Sequence, residues 1–221
     1  MVAQPNIAQA YAGARVYRRP VLAIYDQFVL GFSSSFIWQC PAQVISDWYN
    51  TYVTGEHLDI GVGTGYFLDI CRFPTPAPRI TLVDLNPSTL HAAGRRLNRY
   101  DPSACIANVL APLPLHTERF DSIGLNYVLH CLPGSMETKG SIFAQLKPLL
   151  RPGGVLFGST ILGKGVMHNV GAQAFLYLYN NLKAFSNTDD SLTQLQRQLT
   201  AQFAESTVHV IGSVALFQAR V

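Results

Sequence analysis

Three glycines with acidic residues on either side are the strongest chemical signal in this chain. Gly61, Gly63 and Gly65 alternate with other residues directly after a short apolar segment, and Asp59 precedes the first of them by two positions. Glycine tolerates backbone angles that other residues resist, and it lets a ligand approach the main chain. A loop of this kind between a strand and a helix is typical of sites for nucleotide-like ligands. By itself it also fits an ordinary structural turn.

A second carboxylate, Asp84, follows the strand-like residues 79–83. It lies about as far beyond the glycines as the acidic residue that meets ribose hydroxyls in nucleotide-binding folds. A carboxylate is the group needed there because it accepts hydrogen bonds from both vicinal hydroxyls. Asp84 therefore strengthens the interpretation of the glycine loop as a binding site for a nucleoside.

The spacing of the glycines distinguishes between two kinds of ligand. Gly63 and Gly65 are separated by Thr64 alone. A dinucleotide fingerprint has two residues at this place and seats a pyrophosphate on the helix N-terminus. The carboxylate of Asp59 would sit badly beside a diphosphate, but it suits the amino group of a methionine moiety. The pattern therefore favours S-adenosylmethionine over a nicotinamide dinucleotide.

Alternating strands and helices must position these residues. Apolar patterning predicts seven strands, at residues 57–60, 79–83, 105–109, 120–126, 155–160, 207–211 and 214–219. Helices are predicted at residues 17–31, 41–52, 66–71, 87–99, 136–150, 171–185 and 189–204. This order predicts an α/β fold: a doubly wound, mostly parallel seven-stranded sheet with helices on both faces and an antiparallel C-terminal strand. We expect an N-terminal arm and helical cap in residues 1–55 and the core in residues 56–221, with a lid helix at about 168–186.

The composition excludes several classes of protein. Of the 221 residues, 48% are hydrophobic and 13% are charged, which is the opposite of the balance found in disordered chains. The net charge of +3 and a basic cluster without interleaved aromatic residues give little support for nucleic-acid binding. The four cysteines lack the spacing of a zinc site or a disulfide framework. The chain shows neither a signal layout nor an apolar run long enough to span a bilayer, so we expect a cytoplasmic protein.

With these motifs, the chain resembles the class I (Rossmann-like) S-adenosylmethionine-dependent methyltransferases. The resemblance extends from about residue 57 to the C-terminus. It includes the acidic glycine motif of Asp59 to Gly65, the ribose acid Asp84, a Pro-Gly-Gly turn at residues 152–154 and the terminal strand pair. Trp38, residues 57–59 and residues 126–134 are similar to a subgroup labelled generic or ubiquinone-biosynthesis-type methyltransferases, which act on small molecules.

The resemblance implies a set of residues that bind S-adenosylmethionine. Leu85 and Asn86 would border the adenosine, Asn108 and Val109 would lie by the adenine, and the next strand would place two residues under the methionine arm. Two aromatic residues of the N-terminal helices would close over the cofactor. The full set is Tyr25, Trp38, Asp59, Gly61, Gly63, Thr64, Gly65, Asp84, Leu85, Asn86, Asn108, Val109, Asn126 and Tyr127.

The chemistry requires little of the protein, since the methyl group of a sulfonium is already activated. A general base helps when the acceptor is a hydroxyl. His130, one helical turn beyond Asn126, is the candidate base at the cleft edge because histidine titrates in a suitable range. Equally, it could be a buried helical residue that bonds to the backbone.

An apolar stretch after the fifth strand predicts the wall of a substrate pocket. Its aromatic residues suggest an apolar or aromatic substrate, such as a secondary metabolite. The expected pocket residues are Tyr17, His168, Phe175 and Tyr179. Asn126 stands where a metal-dependent enzyme would need a carboxylate, so we expect no metal. The partners expected are a small molecule and a second copy of the chain, with no nucleic acid.

Two other functions remain open at this level. The same cleft could hold S-adenosylmethionine in a protein that uses it for rearrangement, cyclisation or regulation without methyl transfer. A nicotinamide-dependent oxidoreductase is disfavoured by the single residue between Gly63 and Gly65. Whether the acceptor atom is oxygen, nitrogen or carbon cannot be derived from these residues.

Overall fold

The chain forms a twisted seven-stranded sheet with helices on both faces. The computed structural model describes residues 33–115 and 120–221. The strands lie in the order β3-β2-β1-β4-β5-β7-β6. They are β1 Glu56–Ile60, β2 Arg79–Asp84, β3 Ser103–Ile106, β4 Phe120–Asn126, β5 Leu150–Ile161, β6 Glu205–Ile211 and β7 Val214–Arg220.

The direction of the strands confirms the predicted fold class. Strands β1 to β5 pair in parallel, and β7 pairs in the antiparallel direction with both β5 and β6. The order of the strands reverses between β1 and β4. From β1 the chain continues to β2 and β3 on one side of the sheet, and from β4 it continues to β5 on the other side. The carboxyl ends of these two strands therefore form the crevice in which open α/β sheets bind ligands.

Six α-helices are present in the described residues: α1 Ala42–Tyr52, α2 Tyr66–Ile70, α3 Pro87–Arg96, α4 Met136–Leu146, α5 Val170–Asn181 and α6 Leu192–Gln202. Local sequence explains where several of them begin. The side chain of Asn86 accepts a hydrogen bond from the backbone N–H of Ser88 at the start of α3. Ser191 forms a capping box with Gln194 at the start of α6. Such caps satisfy backbone donors that have no partner within the helix.

Several boundaries differ from the sequence prediction, and three differences have a visible structural context. β3 ends at Ile106 instead of residue 109, because Asn108 accepts a hydrogen bond from the backbone N–H of Leu110 and turns the chain. β5 already begins at Leu150, so the expected Pro-Gly-Gly turn lies inside the strand, beside a register shift against β4. Residues 33–37 form a π-helical turn where we expected a break after the first helix.

Two apolar clusters, one on each face of the sheet, hold the layers together. The first includes Phe143 of α4 and Leu195 of α6 with side chains of β1 and β4. The second includes Ile45 of α1 and Leu90 of α3 with side chains of β2, β5 and β7. α1 therefore packs on the same sheet as the core helices. The division into residues 1–55 and 56–221 stays a prediction, and the expected helix at 17–31, with Tyr17 and Tyr25, lies outside the described residues.

Candidate active site

A cavity lies at the carboxyl ends of β1, β2 and β4. The segments that follow these strands and β3 contribute most of its lining. Ten of the expected cofactor residues line it: Gly61, Gly63, Thr64, Asp84, Leu85, Asn86, Asn108, Val109, Asn126 and Tyr127. Their local positions follow from the sequence motifs, and the parallel sheet brings the ends of the strands to one edge.

The glycine loop has the backbone conformation that its composition indicates. Gly61, Gly63 and Gly65 have φ angles of +68°, +56° and +74°, which side chains strongly disfavour. A Cβ atom at Gly63 would meet no atom within 4 Å, whereas one at Gly65 would lie 3.1 Å from Cβ of Ala93. Gly63 therefore keeps the main chain open to the cavity, and Gly65 allows α3 to pack against the loop.

The carboxylate of Asp84 lies at the end of β2 in the cavity lining. Its Oδ1 accepts a hydrogen bond from the backbone N–H of Asn86 at 2.8 Å. Burial raises the pKa of the Asp84 carboxyl, while hydrogen bonds from backbone groups oppose that rise. A partly buried carboxylate held in place by its own backbone suits the hydroxyls of a ribose.

Asn126 ends β4 with its amide in the cavity wall. The side chain is buried, at 8% exposure, and within the described part of the chain neither amide atom has a hydrogen-bond partner of normal geometry. The next residue, Tyr127, has a φ of +55° and donates its N–H to the carbonyl of Ser159 at 2.8 Å. Unsatisfied buried polar atoms are costly, so this amide is a ready partner for a polar ligand group.

Asp59 does not line the cavity, which corrects the expectation that its carboxylate lies in the cleft. The residue is 2% exposed. Its Oδ2 accepts a hydrogen bond from the hydroxyl of Tyr49 at 2.8 Å and lies 3.3 Å from Nε2 of His57. Tyr49 lines the cavity in its place. No sequence motif marked Tyr49, because its role depends on how α1 packs over β1.

His130 lies beneath the cavity wall and is not one of the residues that line it. The ring is 3% exposed, with its centroid 4.5 Å from that of Phe185. Its Nδ1 is 3.4 Å from the backbone N–H of Ile161. Burial, followed by the positive charge of Lys139, lowers the pKa of His130 to about 3. His130 therefore does not contact the described cavity in this structure, and its role as a base stays a prediction.

The expected substrate wall also lies away from this cavity. Phe175 and Tyr179 of α5 pack on each other at 5.4 Å between ring centroids. Trp38 is 3% exposed and packs on Phe175 at 6.4 Å between ring centroids. His168 bonds through Nδ1 to the hydroxyl of Ser213 at 2.9 Å. None of these four belongs to the described lining.

Several lining residues carry no sequence signal of their own. Apart from Tyr49, they lie around the glycine loop, at the end of β2 and in the helix after it, just after β3, or in the segment after β4. They are Ile60, Val62, Tyr66, Phe67, Val83, Thr89, Ala107, Val128, Cys131 and Leu132. Most are apolar or aromatic, and only their positions in the folded chain identify them.

In residues 33–115 and 120–221, no three His, Cys, Asp or Glu side chains converge as they would around a metal ion. Within the same residues, no helix combines the length and apolar character required to cross a bilayer.

Fold and site together define an α/β protein with a cleft at a topological switch point. A family profile described as a methyltransferase domain matches residues 58–156. Demethylluteothin O-methyltransferase of Streptomyces thioluteus is 39% identical over 96% of this chain and 92% of its own. A physcion biosynthesis cluster O-methyltransferase of Aspergillus chevalieri is 36% identical over 97% of each.

Solved structures show the same fold at low sequence identity. The N-methyltransferase NodS of Bradyrhizobium japonicum, in complex with S-adenosylhomocysteine, is 17% identical and aligns with a TM-score of 0.64 over 96% of this chain and 98% of its own. The chain belongs to the class I S-adenosylmethionine-dependent methyltransferases. It is a small-molecule methyltransferase with S-adenosylmethionine as its cofactor, and the comparisons favour this function over the oxidoreductase and the non-methylating alternatives.

The residues present fit this cofactor. Gly63 leaves open space beside the main chain, Asp84 offers a carboxylate to the ribose, and Asn126 offers an amide that makes no hydrogen bond of normal geometry in the described residues. These three features lie around one cavity.

Proposed function

We propose that this methyltransferase methylates a hydroxyl oxygen of a small, apolar or aromatic metabolite. The main support for this proposal is the cavity lining, in which Val109, Val128 and Leu132 form an apolar wall beside a few polar groups. Pockets of this composition suit apolar ligands. The two relatives described above, each matched over nearly their full length, are both O-methyltransferases by name.

We also assign positions to the cofactor. Its ribose lies at Asp84, its adenine lies beside Asn108 and Val109, and its methionine arm lies toward Asn126 and Tyr127. What supports this assignment is the order of the strands, because β2 and β4 flank β1 and the glycine loop. An elongated ligand that lies across the loop meets both strand ends.

The cofactor supplies a methyl group that is already activated on a sulfonium. The side chains of this protein bind and orient the reactants and exclude water, which can account for a large part of the barrier reduction. The described cavity lining contains no histidine. In this proposal the acceptor is a hydroxyl that is more acidic than an alcohol, such as a phenol or an enol, because such a hydroxyl needs less help from a histidine base.

The test is an assay with matched acceptors. The purified protein is incubated with S-adenosylmethionine and pairs of small aromatic compounds that differ only in carrying a hydroxyl or an amine. We expect mass spectrometry to detect one added methylene unit on hydroxyl compounds, and we expect Asp84→Asn to lose most of this activity. Methylation confined to the amines would contradict O-methylation, and full activity in Asp84→Asn would contradict the cofactor assignment.

The other partners stay predictions. We infer that the enzyme acts in the cytoplasm, without nucleic acid, and that two copies of the chain associate. The low charged fraction of 13% supports association, because it leaves broad apolar faces. Light scattering of the purified protein measures the mass in solution, and a value of 24.3 kDa would contradict the dimer.

A further inference from the structure

A buried hydrogen-bond chain connects the core of the sheet to the cavity through α1. The hydroxyl of Ser122 on β4 lies 2.8 Å from Nδ1 of His57, and Nε2 of that ring lies 3.3 Å from Oδ2 of Asp59. The same oxygen accepts the hydrogen bond of the Tyr49 hydroxyl at 2.8 Å. Only Tyr49 among these four residues lines the cavity.

The hydrogen bonds of this chain are consistent with the tautomer of His57 that carries a proton on Nε2. The hydroxyls of Ser122 and Thr54 lie 2.8 Å apart, and the hydroxyl of Thr54 can donate to the carbonyl of Glu56, which leaves the proton of Ser122 for His57. Ser122 accepts a hydrogen bond from the backbone N–H of Thr54 at 3.0 Å, and its own hydroxyl can donate to Nδ1 of His57. The Nε2–H of His57 then donates to Asp59. Tyr49 donates its only proton to the same carboxylate, so the lone pairs of its hydroxyl oxygen remain as acceptors.

Burial keeps the proton on the tyrosine. The low polarity around the ring, followed by the negative charge and the hydrogen bond of Asp59, raises the pKa of Tyr49 well above its ordinary value. Gly124 on β4 leaves room for this arrangement, since a Cβ atom there would lie 2.7 Å from Oδ2 of Asp59. The carboxylate is thus held one hydrogen bond away from the cavity.

Asn126 brings a second polar group to the same place. Its amide is near enough to the Tyr49 hydroxyl to lower the pKa of that hydroxyl slightly, but it makes no hydrogen bond of normal geometry in the described structure. Tyr49 and Asn126 therefore bring two oxygen-bearing side chains to the same cavity, and the buried carboxylate of Asp59 lies behind the hydroxyl of Tyr49. A cationic N–H donor satisfies this arrangement best.

We propose that the Tyr49 hydroxyl accepts a hydrogen bond from the ammonium group of the cofactor's methionine arm, and that Asp59 acts through Tyr49 as a positioning residue. Asp59 polarises the hydroxyl and fixes its direction, so its charge reaches the ligand through the tyrosine. The inference rests on the cofactor position given under the proposed function.

Two ligands separate this role from a structural one. S-adenosylhomocysteine carries the ammonium group, whereas 5′-methylthioadenosine has the nucleoside and the thioether but no amino acid. Both are titrated by calorimetry into the wild type, Tyr49→Phe and Asp59→Asn. Tyr52→Phe is the matched control, because it removes a hydroxyl from the same helix at a residue whose ring also packs on Phe157 but lies outside the cavity lining.

We expect Tyr49→Phe to weaken the binding of S-adenosylhomocysteine by about tenfold to a hundredfold, the range for hydrogen bonds to charged groups. Asp59→Asn should weaken it in the same selective way, and neither change should alter the affinity for 5′-methylthioadenosine by more than about twofold. Tyr52→Phe should leave both affinities at the wild-type values.

Two results would overturn the inference. One is unchanged affinity of Tyr49→Phe for S-adenosylhomocysteine. The other is an equal loss for both ligands, which would indicate that the tyrosine only supports the fold. If Tyr49→Phe does not fold, Asp59→Asn decides by the same comparison. If neither S-adenosylhomocysteine nor 5′-methylthioadenosine binds to the wild type, the result would instead contradict the proposed cofactor position.

Discussion

At the scale of single residues, burial decides which ionisable side chains can act. His130 and Asp59 have the residue types expected of a base and an ammonium ligand, but both are almost fully buried. His130 is held neutral by its surroundings, whereas Asp59 exerts its charge through Tyr49. Asp84, by contrast, combines the expected type with a position in the cavity wall.

The buried state of His130 predicts a contribution to acid sensitivity. Its pKa in the folded protein is about 3, and the ordinary value is about 6.5. Between these values the unfolded chain binds a proton that the folded chain does not, so stability is present above pH 6.5 and is lost as the pH falls towards 3. The loss that this residue causes amounts to about 2 kcal/mol at pH 5.

His130→Asn, whose Oδ1 can replace Nδ1 as the acceptor, should therefore lose less stability than the wild type between pH 7 and pH 5. Urea unfolding at both pH values measures the difference. His209→Asn is the control, because His209 is an exposed histidine on β6, and this variant should follow the wild type. Parallel losses in His130→Asn and the wild type would show that His130 does not titrate across this range.

At the scale of elements, the glycines of the loop between β1 and α2 meet two different requirements. One is space for a ligand, and the other is close packing against α3. All three glycines have positive φ, but their surroundings differ. Gly63 faces open space, and Gly65 faces Ala93 of α3. The loop therefore serves the ligand at one glycine and the packing of the fold at another.

Alanine substitutions should separate these requirements. Gly63→Ala should lower the free energy of unfolding by about 1–2 kcal/mol, the cost of a side chain in the left-handed region, while its methyl group obstructs the cavity and weakens S-adenosylhomocysteine binding. The free energy of unfolding of Gly65→Ala should be lower than that of Gly63→Ala by about a further 1–3 kcal/mol, because the new Cβ atom is forced against α3. Urea unfolding and calorimetry measure the two effects. A Gly63→Ala variant with wild-type affinity, or one less stable than Gly65→Ala, would contradict this division.

At the scale of the whole molecule, a buried ion pair joins distant parts of the chain. Nζ of Lys139 on α4 lies 2.6 Å from Oδ2 of Asp190 and donates to the carbonyl of Ser186 at 2.6 Å. The side chains are 0% and 2% exposed. The backbone carbonyl of Asp190 in turn accepts the N–H of Gly163. This pair fixes the segment between α5 and α6 against the end of β5.

Removing one partner of this pair leaves the other charge buried. Lys139→Met should therefore lower the free energy of unfolding by about 3–5 kcal/mol, and the double variant Lys139→Met/Asp190→Leu should be more stable than Lys139→Met alone. Lys164→Met is the control, since it breaks the neighbouring exposed pair with Asp189, and such pairs contribute little. Urea unfolding compares these three variants with Asp190→Leu and the wild type, which completes the double-mutant cycle. A double variant as unstable as the sum of its single changes would show that the two charges do not interact.

The sequence alone determined the alternation of strands and helices, the glycine loop and the carboxylate at Asp84. These features depend on local backbone preferences and on apolar periodicity, which neighbouring residues in the chain specify. The position of Asn126 could also be predicted, since parallel strands must end at one edge of the sheet.

Only the tertiary structure decided which side chains reach the cavity. Tyr49 enters it and Asp59 does not, because α1 packs over β1 and Gly124 on the neighbouring strand leaves room for the carboxylate. His130 and Phe175 lie elsewhere, because their burial depends on contacts with Phe185 and Trp38. Contacts between residues far apart in the chain leave no periodic pattern, so the sequence could predict the loop that binds the cofactor but not the side chains that complete its site.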